Sequence, residues 1–197
     1  GEAPTLGRWF SWRGELPGPD PTAAELGARL GASVSERCRA DQPVACQLSG
    51  GLDSAMVAAL AVRSGVETAY TVQFSGDTGW DELPQARRVA AHLGMRHRVI
   101  SLDQEQLLTH FDAAVVASGG PVINTHAPAK WLLCQMVRAD GHAVLLSGEG
   151  ADEIFWGYEH LIADWHRASG GDHRPSAAVA GIHLATGARL DTDAVGR

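Results

Sequence analysis

Short apolar stretches bounded by turn residues alternate with longer segments of helical period along most of this chain, and that alternation limits the possible folds more than any other feature. VACQL (44–48), TAYTVQF (68–74), RHRVISL (96–102) and HAVLL (142–146) have the length and the apolar, β-branched or aromatic content of strands. Ahead of the first, Leu26, Leu30 and Val34 recur every fourth residue, predicting an amphipathic helix from Ala23 to about Arg39 with Asp20 or Thr22 as its cap. SAMVAALAVR (54–63) reads as a tightly packed, alanine-rich helix. Asp81 is placed to cap a third, in which Leu83, Ala86, Ala90 and Leu93 share a face, Pro84 falls in the first turn and Gly94 stops the helix. Asp103 opens another through Leu107, Leu108, Phe111, Ala114 and Val115, ended by Gly119-Gly120-Pro121, and a further helix runs from about Pro128 to Ala139. Strands and helices alternating at these lengths form βαβ units. The expected architecture is therefore α/β: a doubly wound parallel sheet with helices on both faces and ligands at the C-terminal ends of its strands.

The remaining sequence sets boundaries. Residues 1–22 are rich in Gly, Pro and Trp and read as a connecting segment, residues 23–160 as one domain, and residues 161–197 never settle into a helical or strand period. With 197 residues, 45% of them hydrophobic and 20% charged, the chain has the composition of a soluble globular protein able to bury one sizeable core. A net charge of −7 leaves no electrostatic footprint for nucleic acid. Cys38, Cys46 and Cys134 are odd in number and far apart, which suggests neither a disulfide framework nor a zinc site and fits a reducing cytoplasm. No apolar run approaches the ~20 residues of a membrane span, so no membrane partner is expected.

Two glycine-rich loops follow predicted strands. SGGLDSA (49–55) joins a strand to a helix and offers backbone N–H groups where no Cβ blocks approach, at the positive end of a helix dipole. Both GxxxxGK[ST] and GxGxxG are absent. The plain alternative is a tight turn in which Asp53 and Ser54 only cap the helix. Asp53 is the informative residue: a carboxylate ~5 Å from a phosphate oxygen is repelled by roughly 3 kcal/mol at an effective dielectric of about 20. Mg²⁺ reverses that sign by taking carboxylate and phosphate oxygens into one octahedral shell. The second loop, LLSGEGADE (145–153), sets Glu149, Asp152 and Glu153 among glycines, and Asp152 can supply a second hard oxygen ligand. Together the loops point to a metal-bound polyphosphate.

SGGLDS resembles the pyrophosphate-binding loop of the ATP pyrophosphatases, and LLSGEGADEIFWGY resembles the second signature of asparagine synthetases and their relatives, among them β-lactam synthetases and lasso-peptide cyclases. The five fixed positions of SGGxDS arise by chance on the order of 10⁻⁴ times per chain of this size, so the motif is specific. FSGDTGWDELPQARRVAAHLGMRH also resembles the family segment after the second strand, and the likeness covers roughly residues 8–160.

The resemblance implies a fold of the adenine nucleotide alpha hydrolase type and ATP-dependent amide formation: a small-molecule carboxylate, by default aspartate, is adenylated with release of pyrophosphate, and ammonia or an amine then displaces AMP. It implies that Ser49, Gly50, Gly51, Asp53 and Ser54 hold pyrophosphate and that Asp53 and Asp152 bind Mg²⁺. Leu48 and Val72 would meet adenosine through backbone groups, Ser147 and Gly148 would line the nucleotide near its α-phosphate, and Glu149 matches an acid linked to adenylate formation. Macrolactam or β-lactam closure, and a nucleotide-holding module without catalysis, remain open beside it, as does a homodimer.

Two departures from the family pattern stand out. Glutamine-using members carry an N-terminal cysteine nucleophile in a glutaminase domain, whereas this sequence starts Gly1-Glu2-Ala3 and its first cysteine is Cys38. The expectation is a piece of a longer protein, with ammonia supplied by a glutaminase domain or subunit. The family's essential lysine lies downstream of the second loop, and the sole lysine here is Lys130. Lys130, His126 and Asn124 are placed near the strand ends, where a solvated helix surface and substrate or phosphate contact are both open.

Overall fold

The structure is a computed structural model of the 197-residue chain and describes residues 22–76, 82–122, 124–155 and 158. Four parallel strands form one sheet in the order β3-β2-β1-β4, with β1 at Val44–Gln47, β2 at Thr68–Phe74, β3 at Arg96–Leu102 and β4 at Val144–Leu146. The second and third strands lie where the sequence places them. The first and fourth are shorter than predicted. Helices α1 (Ala23–Arg37), α2 (Leu52–Val62) and α3 (Leu83–Leu93) precede or join β1, β2 and β3, and α4 (Gln104–Thr109), α5 (Phe111–Ser118) and α6 (His126–Ala139) lead to β4; α7 (Ala151–Phe155) follows it.

Side-chain alternation along β1 builds two cores. Cys46 and Leu48 pack with Val34 of α1, Ala58 and Ala61 of α2, and Ala86 and Ala90 of α3. The alanines let these helices lie close to the sheet. On the opposite face Ala45 and Tyr70 meet Leu133 and Val137 of α6, while Leu102 meets Leu107 of α4 and Ala129 of α6. Helices thus cover both faces, and the sheet is doubly wound. The chain adds β2 and β3 to one side of β1 and then returns to place β4 on the other, so the strand order reverses between β1 and β4. A crevice at such a reversal, outside the strands' C-terminal ends, is where open α/β sheets bind ligands.

Thr22 rather than Asp20 caps α1: its hydroxyl accepts from the Glu25 N–H at 3.3 Å, and the Glu25 carboxylate accepts from the Thr22 N–H at 2.8 Å. Helix α3 begins with Glu82 in the cap position and no side-chain cap bond, and the predicted cap Asp81 lies outside the described residues, as do residues 1–21 and 159–197. The single helix predicted from Asp103 is two. His110 sits at φ −101°, ψ 8°, its Nδ1 donates to the Gln106 carbonyl at 2.8 Å, and its ring lies 5.3 Å from that of Trp131 on α6. The same carbonyl also accepts from the His110 N–H at 3.2 Å, and His110, whose backbone leaves the helical region, is at once the C-cap of α4 and the N-cap of α5. Helix α6 starts two residues before the predicted Pro128, because Pro128 falls in the first turn, where no N–H is needed, and the Asn124 side-chain oxygen accepts from the His126 N–H at 3.0 Å. All three cysteines are free, and burial pushes the Cys46 thiol up to about 12. Among the described residues no helix is long and apolar enough to cross a membrane.

Candidate functional site

The first loop is held by its own serines. Ser54 Oγ accepts from the Ser49 N–H at 3.1 Å and donates to the Gly51 carbonyl at 3.1 Å; with that hydrogen used, the 2.9 Å contact between the hydroxyls has Ser49 Oγ donating. Ser49 Oγ in turn accepts from the Gly51 N–H at 3.1 Å. The N–H groups of Ser49 and Gly51 are therefore committed within the turn, a preorganisation that motif reading, which treats loop N–H groups as open donors, does not anticipate. Ser54 closes the turn, whereas Gly51 occupies the N-cap position without a side-chain cap bond. Among the described residues the Asp53 carboxylate, in the first turn of α2, has no hydrogen-bond or ion-pair partner, so capping does not account for it.

Gly50 is required by its own conformation and packing. It sits at φ 94°, and a Cβ there would lie 2.8 Å from the Ala86 amide nitrogen and 2.9 Å from the Glu82 carbonyl oxygen. The loop is seated on the first turn of α3, and Gly50 does not line the cleft.

The second loop approaches the first backbone to backbone. A Cβ on Gly148 would lie 2.7 Å from the Ser54 amide nitrogen and 3.0 Å from Asp53 Cβ. Only glycine allows that contact. Ser147 Oγ accepts from the Glu149 N–H at 3.2 Å, Gly150 turns the chain at φ 94°, and Asp152 and Glu153 fall in the first turn of α7. The Tyr158 hydroxyl donates to Glu153 at 2.9 Å; this bond, then burial, then the charges of Glu153, Asp152 and Glu149 hold its phenol above the ordinary range.

Between the loops opens a cleft of about 280 Å³. Ser49, Gly51, Asp53 and Ser54 line one side, and Ser147, Gly148, Glu149 and Asp152 the other, so eight of the sequence-predicted residues meet in one place. Gln47, His126, Gly150, Glu153 and Tyr158 complete the wall. Gln47 was legible only as a polar residue in an otherwise apolar strand, and alternation turns it to the α6 face, where His126 begins that helix. Leu48 and Val72 do not line the cleft. The Leu48 side chain is fully buried and its N–H donates to the Tyr70 carbonyl at 2.8 Å; Val72 packs towards α6, two positions past the last β1–β2 pair. Behind the loop, Thr71 Oγ1 donates to the Leu48 carbonyl and lies 2.7 Å from His97 Nε2. Since the hydroxyl has one hydrogen, His97 must donate to it. Burial first, and Arg87 second, hold the His97 imidazole below its ordinary range, which suits the neutral Nε2–H form.

Four carboxylates, those of Asp53, Glu149, Asp152 and Glu153, face this cleft, and no lysine or arginine does among the described residues. Lys130, one helical turn beyond His126 on α6, donates to Glu149 Oε1 at 2.8 Å. Both side chains are about half exposed, at 48% and 61%, and such pairs contribute about 0–1 kcal/mol. The described residues contain no group of three His, Cys, Asp or Glu that would cage a metal. Two uncommitted carboxylates, Asp53 and Asp152, nonetheless fit Mg²⁺ of the kind held by one or two carboxylates with substrate phosphates filling the shell.

A doubly wound parallel sheet with two strand-end loops facing across its reversal point defines an open α/β protein with its candidate site at the strand ends, the class expected from the sequence. The asparagine synthase family model matches residues 25–194, and the chain belongs to that family. It is 37% identical over 151 residues to amidase chyE of Penicillium rubens, covering 69% of this chain and 22% of that protein. It is 31% identical over 144 residues to asparagine synthetase [glutamine-hydrolyzing] 3 of Arabidopsis thaliana, covering 64% and 24%. The chain thus spans about a quarter of the length of the curated relatives it matches. Among solved structures, glutamine-dependent NAD+ synthetase from Acinetobacter baumannii, in complex with ADP, superposes with a TM-score of 0.50 at 20% identity over 78% of this chain and 34% of that one, a likeness of fold.

Proposed function

We propose that this chain is the adenylating part of an ATP-dependent amide-forming ligase, which activates a carboxylate with release of pyrophosphate and passes it to ammonia or an amine. The observation that carries the reading is the meeting of the two loops at Gly148, which puts the uncommitted carboxylates of Asp53 and Asp152 on one cleft at the sheet's reversal point. Mg²⁺ held by Asp53 and Asp152 would neutralise charge developing on the leaving pyrophosphate. The chain's own residues do the rest. Ser49, Gly51 and Ser54 fix the shape of the first loop through their mutual hydrogen bonds, so the loop needs little reorganisation during reaction. Ser147 and Gly148 orient the α-phosphate side, and Glu149 faces the site of adenylate formation. Gln47 and His126, on the wall towards α6, are placed to read the acyl substrate, with aspartate the first candidate.

The test is exchange of labelled pyrophosphate into ATP by the complete protein. Exchange should require both Mg²⁺ and the carboxylate substrate, and Asp53→Asn should lower it by about a hundredfold or more. Undiminished exchange in that variant would remove Asp53 from the reaction. The fungal relative named an amidase motivates a second reading, amide hydrolysis. That reaction needs no nucleotide, so release of ammonia from an amide without ATP, and with no pyrophosphate formed, would favour it.

A further inference from the structure

We propose that Lys130 is an exchangeable anion-reading arm of the cleft: paired with Glu149 in the free protein, its ammonium moves to a phosphate oxygen when a polyphosphate binds. The inference rests on the nucleotide reading of the cleft given above. A polyphosphate entering this site meets four carboxylates and, among the described residues, no lining lysine or arginine. The cation in contact with one of those acids is Lys130, the sole lysine of the sequence, at 2.8 Å from Glu149. His126 lines the cleft from the first turn of α6, and Lys130 stands four residues later on the same helical face, within reach of the same opening.

The chemistry of the pair suits exchange better than a fixed strut. Both members are half exposed, so breaking the pair strands no buried charge. A lysine ammonium is a point charge on a flexible stem and donates in any direction, unlike a guanidinium locked to a carboxylate in a two-pronged fork. A polyphosphate carries more negative charge than one carboxylate and offers several oxygens, so it outcompetes Glu149 for the same cation. Exchange also frees Glu149, the acid assigned to adenylate formation, at the moment the nucleotide arrives.

The test uses Mg²⁺–pyrophosphate as probe, calorimetry for affinity, and lysine labelled with ¹³C at Cε for NMR, the Lys130 signal being identified by its loss in Lys130→Arg. On saturation the Lys130 signal should move, and Lys130→Met should weaken binding by about tenfold, equivalent to roughly 1.4 kcal/mol. Lys130→Arg, which keeps the charge but can lock to Glu149 in a fork, should recover only part of the affinity. The decisive quantity is the penalty of Lys130→Met in a Glu149→Gln background. If Glu149 competes for the lysine, that penalty grows once the competitor is gone; if Lys130 acts only by holding Glu149, it vanishes and the proposal is overturned. Binding with an unmoved Lys130 signal would also overturn it while leaving the nucleotide site intact. Absence of any Mg²⁺–pyrophosphate binding would instead sink the reading of the cleft and the arm with it.

Discussion

Replacing Gly148 by alanine tests whether the two loops close on each other as tightly as the structure shows. The new Cβ would sit 2.7 Å from the Ser54 amide nitrogen, 2.9 Å from the Asp53 carbonyl carbon and 3.0 Å from Asp53 Cβ. Comfortable separations are about 3.5–4.0 Å, so the loops must part by about 1 Å. Two of the three atoms are backbone at the start of α2 and cannot rotate aside. Gly148 is not among the positive-φ glycines, so the penalty is steric rather than conformational. Overpacking of this kind costs about 1–3 kcal/mol, or roughly 2–12 °C in melting temperature for a chain of this size. Parting the loops also separates Asp53 from Asp152, so Mg²⁺–ATP affinity should fall together with stability. Gly27→Ala is the matched control: Gly27 lies inside α1 with nothing within 4 Å of its would-be Cβ, and the same change should stabilise by about 0.5–1 kcal/mol. Thermal melts and calorimetric titration of both variants check the pair. A Gly148→Ala protein that melts and binds nucleotide like the wild type would refute the close approach.

Other predictions follow from single contacts. Because His97 is held below its ordinary range, the unfolded chain takes up a proton near pH 6.5 before the folded one does, so stability should fall as pH drops from about 7 through 6 and should not vary on this account above about 7.5. Urea midpoints measured across that range should show a weaker pH dependence in His97→Gln, and an unchanged dependence would place its source elsewhere. Thr22→Ala removes the capping box of α1 and should cost about 1 kcal/mol, with Thr22→Ser recovering most of it in the same urea assay.

Much of this was legible in the sequence because it is local. Period and turn residues placed β2 and β3 at their observed bounds, and Gly94 stops α3 as expected, in the left-handed conformation. The miss at His110 coincides with a contact farther along the chain. A continuous apolar period through Phe111 hid the break at His110, whose ring meets that of Trp131 on a helix 21 residues away.

Taken alone, the sequence determined the order of elements, the strand-to-helix turns that carry the two loops, and an acid at position 53 that is out of place in a bare phosphate loop. Only the tertiary structure decided which residues share the cleft. Placing β4 beside β1 brings Gly148 onto Asp53 and Ser54 across some 95 residues of chain, and packing α6 on the opposite face brings Lys130 to Glu149 and His126 beside Gln47. The physical reason is that periodicity and turn chemistry act over a few residues, whereas a parallel sheet joins its neighbours through crossovers, and which strands become neighbours is settled by how both faces bury their apolar surface.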